Sequence, residues 1–161
     1  MTGPGKTIVI GSDHRGFEVI DTIRDHLATK GWTVEVAVRP CGDDPKVDYP
    51  DPAAEVASAV RDGRAARGIL VCGSGIGMSI AANKIQGFRA ALVHDATGAE
   101  MSRRHNDANV LCMGADVVDT PTMETLIDLW LETGFEGGRH AGRVDKISGL
   151  EAVTDSASSN T

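Results

Sequence analysis

Short strand-like runs alternate with helix-like segments along nearly the whole of this chain, and that alternation leaves few architectures open. Thr7–Ile10 is a β-branched run that ends at Gly11. From Arg15 to Lys30, Phe17, Ile20, Ile23, Arg24 and Leu27 recur at helical spacing, and Gly31 stops the segment. Further strands are expected at Thr33–Val38, Gly68–Cys72, Phe88–Val93 and Asn109–Met113. Helices are expected at Ala53–Arg61, Gly77–Lys84 and Thr97–Arg104, and from Thr120-Pro121 onward with Met123, Leu126, Ile127, Trp130 and Leu131 on one face. Asp51-Pro52 reads as an N-cap followed by proline in the first turn. Residues 39–50, rich in Pro, Gly and Asp, read as a surface loop, and Gly134 to Gly138 as a turn.

Strands joined through helices run parallel and need cover on both faces. The expectation is therefore an α/β fold, a Rossmann-like three-layer sandwich with a parallel sheet of about five strands. Residues 1–152 read as a single domain. Val144, Ile147 and Leu150 keep helical spacing near its end, and 153–161, small and polar, is expected to be a disordered tail.

In such sheets ligands bind beyond the C-terminal ends of the strands. Asp13-His14, Cys72–Gly77 and His94-Asp95 all fall at such ends. The second is the most pointed. An apolar run delivers Cys72 to a loop with glycine at 73, 75 and 77, and a helix opens there. Glycines let backbone N–H groups converge on an anion, and a helix N-terminus adds partial positive charge. That setting lowers a thiol from its reference pKa of about 8.5. It offers a base beside an oxyanion site. The loop lacks the Gly-Lys-Ser/Thr of a phosphate-binding P-loop, and it is no G-x-G-x-x-G on a first strand. Asp95, where a ribose-binding acid would sit, leaves a dinucleotide site as a weaker alternative, and a tight turn without ligand is the plainest one.

Other motifs carry plain readings beside functional ones. Cys112 lies inside an apolar strand and reads as core, while Cys41 lies in a loop and reads as incidental. Asp13 reads as a helix cap beside an exposed His14, and His105-Asn106-Asp107 as a helix end. Arg139 and Arg143, four apart with His140 between, read as a solvated face or as a phosphate clamp.

A net charge of −7 with no basic stripe argues against nucleic acid. No apolar stretch reaches the roughly 18–20 residues that a bilayer requires. The N-terminus has no secretory pattern, so a cytoplasmic protein with no membrane partner is expected. Three cysteines fit reduced thiols there, and the absence of C-x-x-C and H-E-x-x-H argues against a metal site.

Six motifs in order resemble the type B ribose-5-phosphate isomerase family, which includes galactose-6-phosphate isomerase subunits. They are Gly-Ser-Asp-His-Arg-Gly-Phe (11–17), Asp-Tyr-Pro (48–50), Cys-Gly-Ser-Gly-Ile-Gly (72–77), Ala-Ala-Asn-Lys (81–84), Ser-Arg-Arg-His-Asn-Asp-Ala-Asn-Val-Leu (102–111) and Glu-Gly-Gly-Arg-His (136–140). The resemblance implies interconversion of an aldose phosphate and a ketose phosphate through a cis-enediolate, without cofactor or metal. Ribose 5-phosphate is the default substrate. A tetrulose 4-phosphate such as erythrulose 4-phosphate, a hexose 6-phosphate, or a non-catalytic sugar-phosphate-binding module are the alternatives.

Carried over by position, the resemblance makes Cys72 the base and Ser74 its assistant on the substrate oxygens. Backbone N–H groups of Gly73, Ser74, Gly75, Ile76 and Gly77 would form the oxyanion hole. His105 would open the sugar ring, Asn106 and Asp13 would fix hydroxyls, and Tyr49 would join the binding residues. His14, Arg139 and Arg143 would hold the phosphate. Family members that use a downstream glutamate as base carry it where this chain has Met78, so the cysteine version is implied. The resemblance also implies a homodimer with shared active sites. One departure stands out. Asp116 occupies a position where the family has a phosphate-binding arginine, and Arg39 or Lys46, in an atypical 39–47 loop, are the expected compensating cations.

Overall fold

The structure is a computed structural model that describes residues 4–37 and 46–158. After a 3-10 turn at Pro4–Lys6, the elements run β1 (Thr7–Ser12), α1 (Phe17–Thr29), β2 (Thr33–Ala37), α2 (Pro50–Arg61), β3 (Arg67–Cys72) and α3 (Ile76–Ala82). They continue with β4 (Ala90–Leu92), α4 (Ala96–Arg104), β5 (Val110–Gly114), α5 (Thr120–Glu132), a 3-10 turn at Gly138–His140, and α6 (Ala141–Ser158).

The five strands form one parallel sheet in the order β2-β1-β3-β5-β4. Side chains alternate across it as strand geometry requires. Ile8, Ile10, Ile69, Val71, Leu111 and Met113 pack with α1, α4 and α5, through Ile23, Leu27, Ala99, Ile127 and Trp130 among others. Val9, Leu70, Cys72, Val110 and Cys112 face the other way, against Ala53, Val56 and Ala57 of α2 and Met78 and Ala82 of α3. The two cores make the three-layer sandwich expected from the alternation. Each large side chain so buried contributes roughly 1.5–3 kcal/mol.

Several boundaries differ from the sequence expectation, each for a local reason. Tyr49, not Asp51, occupies the N-cap of α2, because Pro50 already suits the first helical position. The first helix starts at Phe17, since Asp13 Oδ1 accepts from Arg15 N–H at 2.9 Å and folds that stretch into a turn. Strand β4 has only three residues. Asn83 occupies its outer edge, accepting from Ala90 N–H at 2.8 Å and donating to Ala90 O at 2.9 Å, which blunts an otherwise open strand. Asp95 caps α4 by accepting from Gly98 N–H at 2.7 Å, a role that accounts for it without a nucleotide. The backbone of α6 is helical to Ser158, beyond Leu150 and into the 153–161 stretch expected as a disordered tail. Val38, Arg39 and Cys41 lie outside the described residues. Among the described residues no helix is long and apolar enough to cross a membrane.

Candidate active site

Two of the strand ends that the sequence singles out, after β1 and β3, meet at the C-terminal edge of the sheet, while the third, at His94-Asp95, follows β4 on the far side of β5. Ser12 pairs with Val71, and Cys72 with Gly114, so the ends of β1, β3 and β5 lie side by side. The ladder continues into the loops: Asp13 N–H donates to Val71 O (3.3 Å), Ala115 N–H to Cys72 O (2.8 Å) and Asp116 N–H to Gly73 O (2.9 Å). Helix α1 leaves β1 toward one face while α3 leaves β3 toward the other. A crevice opens where connections part in this way.

Cys72 is the last residue of β3 and only 4% exposed. Its Sγ accepts a hydrogen bond from Gly75 N–H at 3.1 Å. The sulfur thus acts as acceptor. Gly75 makes this possible by standing at φ +78° as the N-cap of α3. A Cβ there would lie 2.5 Å from Leu92 Cδ1 and 2.9 Å from the Met113 carbonyl carbon, so neither the conformation nor the space admits a side chain. Ser74 Oγ accepts from Ile76 N–H at 3.3 Å, and Ile76 itself is exposed on the loop. A Cβ on Gly77 would lie 2.9 Å from Tyr49 Cζ, which sets the phenol end of Tyr49 against the first turn of α3. Cys112 is the contrast. It lies on the same face of the sheet, fully buried, and burial pushes its thiol far up from the ordinary value.

At the end of β1, Asp13 is 6% exposed and His14 is exposed, with His14 Nδ1 donating to Val47 O at 3.2 Å. The anionic Asp116 does not stand alone. Arg15 Nη2 donates to Asp116 Oδ1 at 2.7 Å, and Asp116 Oδ2 lies 2.8 Å from where a Gly73 Cβ would be. The cation that answers Asp116 is therefore Arg15. Arg39 lies outside the described residues, and Lys46 is exposed beside Val47. Arg15 belongs to the same motif as Asp13 and His14, and the opposite signs of Arg15 and Asp116 were the only signal that could have paired them.

The remaining predicted residues form a second group. His105 caps the C-terminal end of α4 and stacks on His140 with ring centroids 4.1 Å apart. Asn106 follows it, and its carbonyl accepts from Arg89 Nε at 3.0 Å. Arg139 lies in the 3-10 turn and Arg143 in the first turn of α6. Helix α4 runs back from the end of β4 to the start of β5, where Asn109 O accepts from Gly68 N–H at 3.0 Å. His105 is thus near the beginning of β3 and Cys72 at its end, about 13 Å along a strand that rises some 3.3 Å per residue. One chain brings Cys72, Ser74, Asp13, His14 and Tyr49 together, and gathers His105, Asn106, Arg139 and Arg143 at the other end of the sheet.

Among the described residues, His105, Glu136 and His140 offer ligand atoms within 4.8 Å of one another. Arg104 donates to Glu136 at 2.9 Å and Arg139 to His140 at 3.4 Å, so positive charge already surrounds the place a cation would take.

Residues 8–147 match the family described as Ribose/Galactose Isomerase. The chain belongs to that family. It is 43% identical over 146 residues to the D-erythrulose-4-phosphate isomerase of Pectobacterium atrosepticum, covering 90% of this chain and 95% of that protein. It is also 43% identical over 146 residues to ribose-5-phosphate isomerase B of Escherichia coli, covering 91% and 97%. The solved structure of Clostridium thermocellum ribose-5-phosphate isomerase B superposes with a TM-score of 0.87 at 45% identity, over 92% of this chain and 99% of that one. The protein is a sugar-phosphate isomerase with the α/β fold of its family.

Proposed function

We propose that this isomerase interconverts ribose 5-phosphate and ribulose 5-phosphate, with Cys72 as the base. The observation that carries this is the Gly75 N–H aimed at Cys72 Sγ from the turn that opens α3. The thiolate takes the proton from C2 of the open-chain aldose, and the electrons move through C1 onto O1. Backbone N–H groups between Gly73 and Gly77 hold the negative oxygen. The Ser74 hydroxyl relays the O2 proton to O1, and the thiol returns its proton to C1 to give the ketose. Asp13, Tyr49 and Asn106 orient the sugar, while His14, Arg139 and Arg143 take the phosphate.

His105 opens the furanose ring first, by giving a proton to the ring oxygen. Because Cys72 and His105 stand at opposite ends of one sheet, a complete site takes Cys72 from one copy and His105 from another. A homodimer with shared sites follows. We place it in the cytoplasm, acting on a phosphorylated sugar, with no nucleic acid, membrane or metal in the reaction.

A second substrate has a specific observation in its favour. The chain is equally identical, at 43%, to a relative named for erythrulose 4-phosphate and to one named for ribose 5-phosphate. Proton NMR in deuterated water, with ribose, erythrose, allose and galactose phosphates, separates these readings. The proposal expects deuterium at C1 of newly formed ribulose 5-phosphate. Turnover of erythrose 4-phosphate alone would move the assignment to the tetrose, and silence across the panel would place the substrate outside these four sugar phosphates.

A further inference from the structure

His105 does not stand alone at the end of α4. Its ring lies face to face with that of His140, the planes 5° apart and the centroids 4.1 Å apart. One carboxylate lies beside both rings: Glu136 Oε2 is 3.5 Å from Nε2 of each. Glu136 is itself held twice. Its Oε1 accepts from Arg104 Nη2 at 2.9 Å, and its backbone N–H donates to Arg104 O at 3.0 Å. Arg104 in turn donates to Glu100 at 2.8 Å.

Two imidazolium charges stacked this closely repel, and a single carboxylate balances only one of them. The surroundings of the two rings differ. His140 is 5% exposed, and Arg139 Nε donates to its Nε2 at 3.4 Å, which requires that nitrogen to be an acceptor. Burial first, then His105 and Arg139, push His140 below the ordinary imidazole range against the opposing pull of Glu136, and Arg143 adds to the push. The His105 side chain is 35% exposed and reaches solvent. The charged groups facing the pair are thus Glu136, Arg139, Arg143, Arg104 and, behind it, Glu100.

We infer that Glu136 and His140 are positioning residues for the ring-opening acid, His140 fixing the plane of the His105 ring and Glu136 the direction of its Nε2. The inference rests on the proposed role of His105. In the step, His105 gives its proton to the ring oxygen as the C1–O4 bond breaks. O1 loses its proton to water as the C1=O1 bond forms, and water returns a proton to His105. Glu136 and His140 touch none of these atoms.

Ribulose 5-phosphate supplies the control, because its O5 is esterified and no furanose closes onto C2. Exchange of its C1 hydrogen with deuterated water reports proton transfer without ring opening. Glu136→Gln keeps the shape and the acceptor for Arg104 but removes the charge. His140→Phe keeps the flat face but removes the nitrogens. Both are expected to slow ribose 5-phosphate conversion about tenfold or more, with C1 exchange of ribulose 5-phosphate within about twofold of the parent. Equal loss of both rates would mean that the two residues only support packing, and unchanged conversion would mean that they do not position His105. Either overturns the inference. His105→Asn is measured alongside: if it lacks the split, the ring-opening reading itself fails.

Discussion

Arg15 Nη2 lies 2.7 Å from Asp116 Oδ1, and this ion pair ties the turn after β1 to the turn after β5 beside Gly73. It puts a guanidinium next to the loop that carries Cys72 while spending part of it on Asp116. Both side chains are about half exposed, at 56% and 51%, so the pair adds little to stability. Its effect falls on the substrate. Arg15→Ala leaves Asp116 unanswered beside an anionic ligand and raises KM, while Asp116→Asn frees the guanidinium and lowers KM. Each change is expected to be no more than about fivefold, with little change in Tm. Steady-state kinetics on the two variants and their double combination read the coupling directly.

Gly75 is the position where local geometry and chemistry meet. Gly75→Ala forces a left-handed backbone on a residue with a Cβ and drives that Cβ into Leu92 and Met113. A loss of roughly 1–3 kcal/mol in unfolding free energy is expected. The N–H is also drawn away from the Cys72 sulfur, so kcat drops by more than the stability loss explains. Chemical denaturation and kcat on the same preparation separate the two.

The two buried cysteines are expected to respond differently to substitution. Cys72→Ser puts a group that does not ionise near neutrality at the end of β3, and kcat is expected to fall about 10²–10⁴-fold with the fold intact. Cys112→Ala removes a fully buried sulfur from the same core, so stability falls by about 1 kcal/mol or more while kcat stays within a few-fold. Thermal unfolding beside kinetics distinguishes them.

Asp128 links α5 to α1, accepting from His26 Nε2 and Lys30 Nζ, each at 2.9 Å. Burial works against its ionised form, but Lys30 and His26 outweigh it and hold the carboxyl below its ordinary value. A carboxyl depressed in the folded state stabilises above the unfolded pKa of about 3.9 and loses that contribution as pH falls through its folded value. Asp128→Asn is therefore destabilising near neutrality, and its Tm gap to the parent closes as pH falls below about 4. Tm measured against pH for both proteins shows the closure.

The strand-and-helix alternation was legible because each element carries its own period. Ile8 and Ile10 opposite Val9, and Ile20, Ile23 and Leu27 along α1, declare their faces without any partner. The strand order was not legible. Nothing local in Val110–Gly114 says that β5 inserts between β3 and β4, since that depends on which faces pack together. Cys72 and its glycines were legible as a strand end running into a tight turn. The Arg15–Asp116 pair and the His105–His140 stack were not, because each joins residues distant in sequence that only the fold brings together. The motifs named His105 and Cys72 alike, and it took the direction of α4 to put them at opposite ends of the sheet.

That separation makes the shared site the central claim, and mixing two inactive chains tests it. Cys72→Ala and His105→Asn are co-expressed, and ribose 5-phosphate conversion is measured on the purified mixture. If each site takes Cys72 from one copy and His105 from the other, half of the dimers in a random mixture are mixed and each has one intact site. Activity then returns to about a quarter of the parent value. A mixture no more active than the two variants measured separately would contradict the shared site.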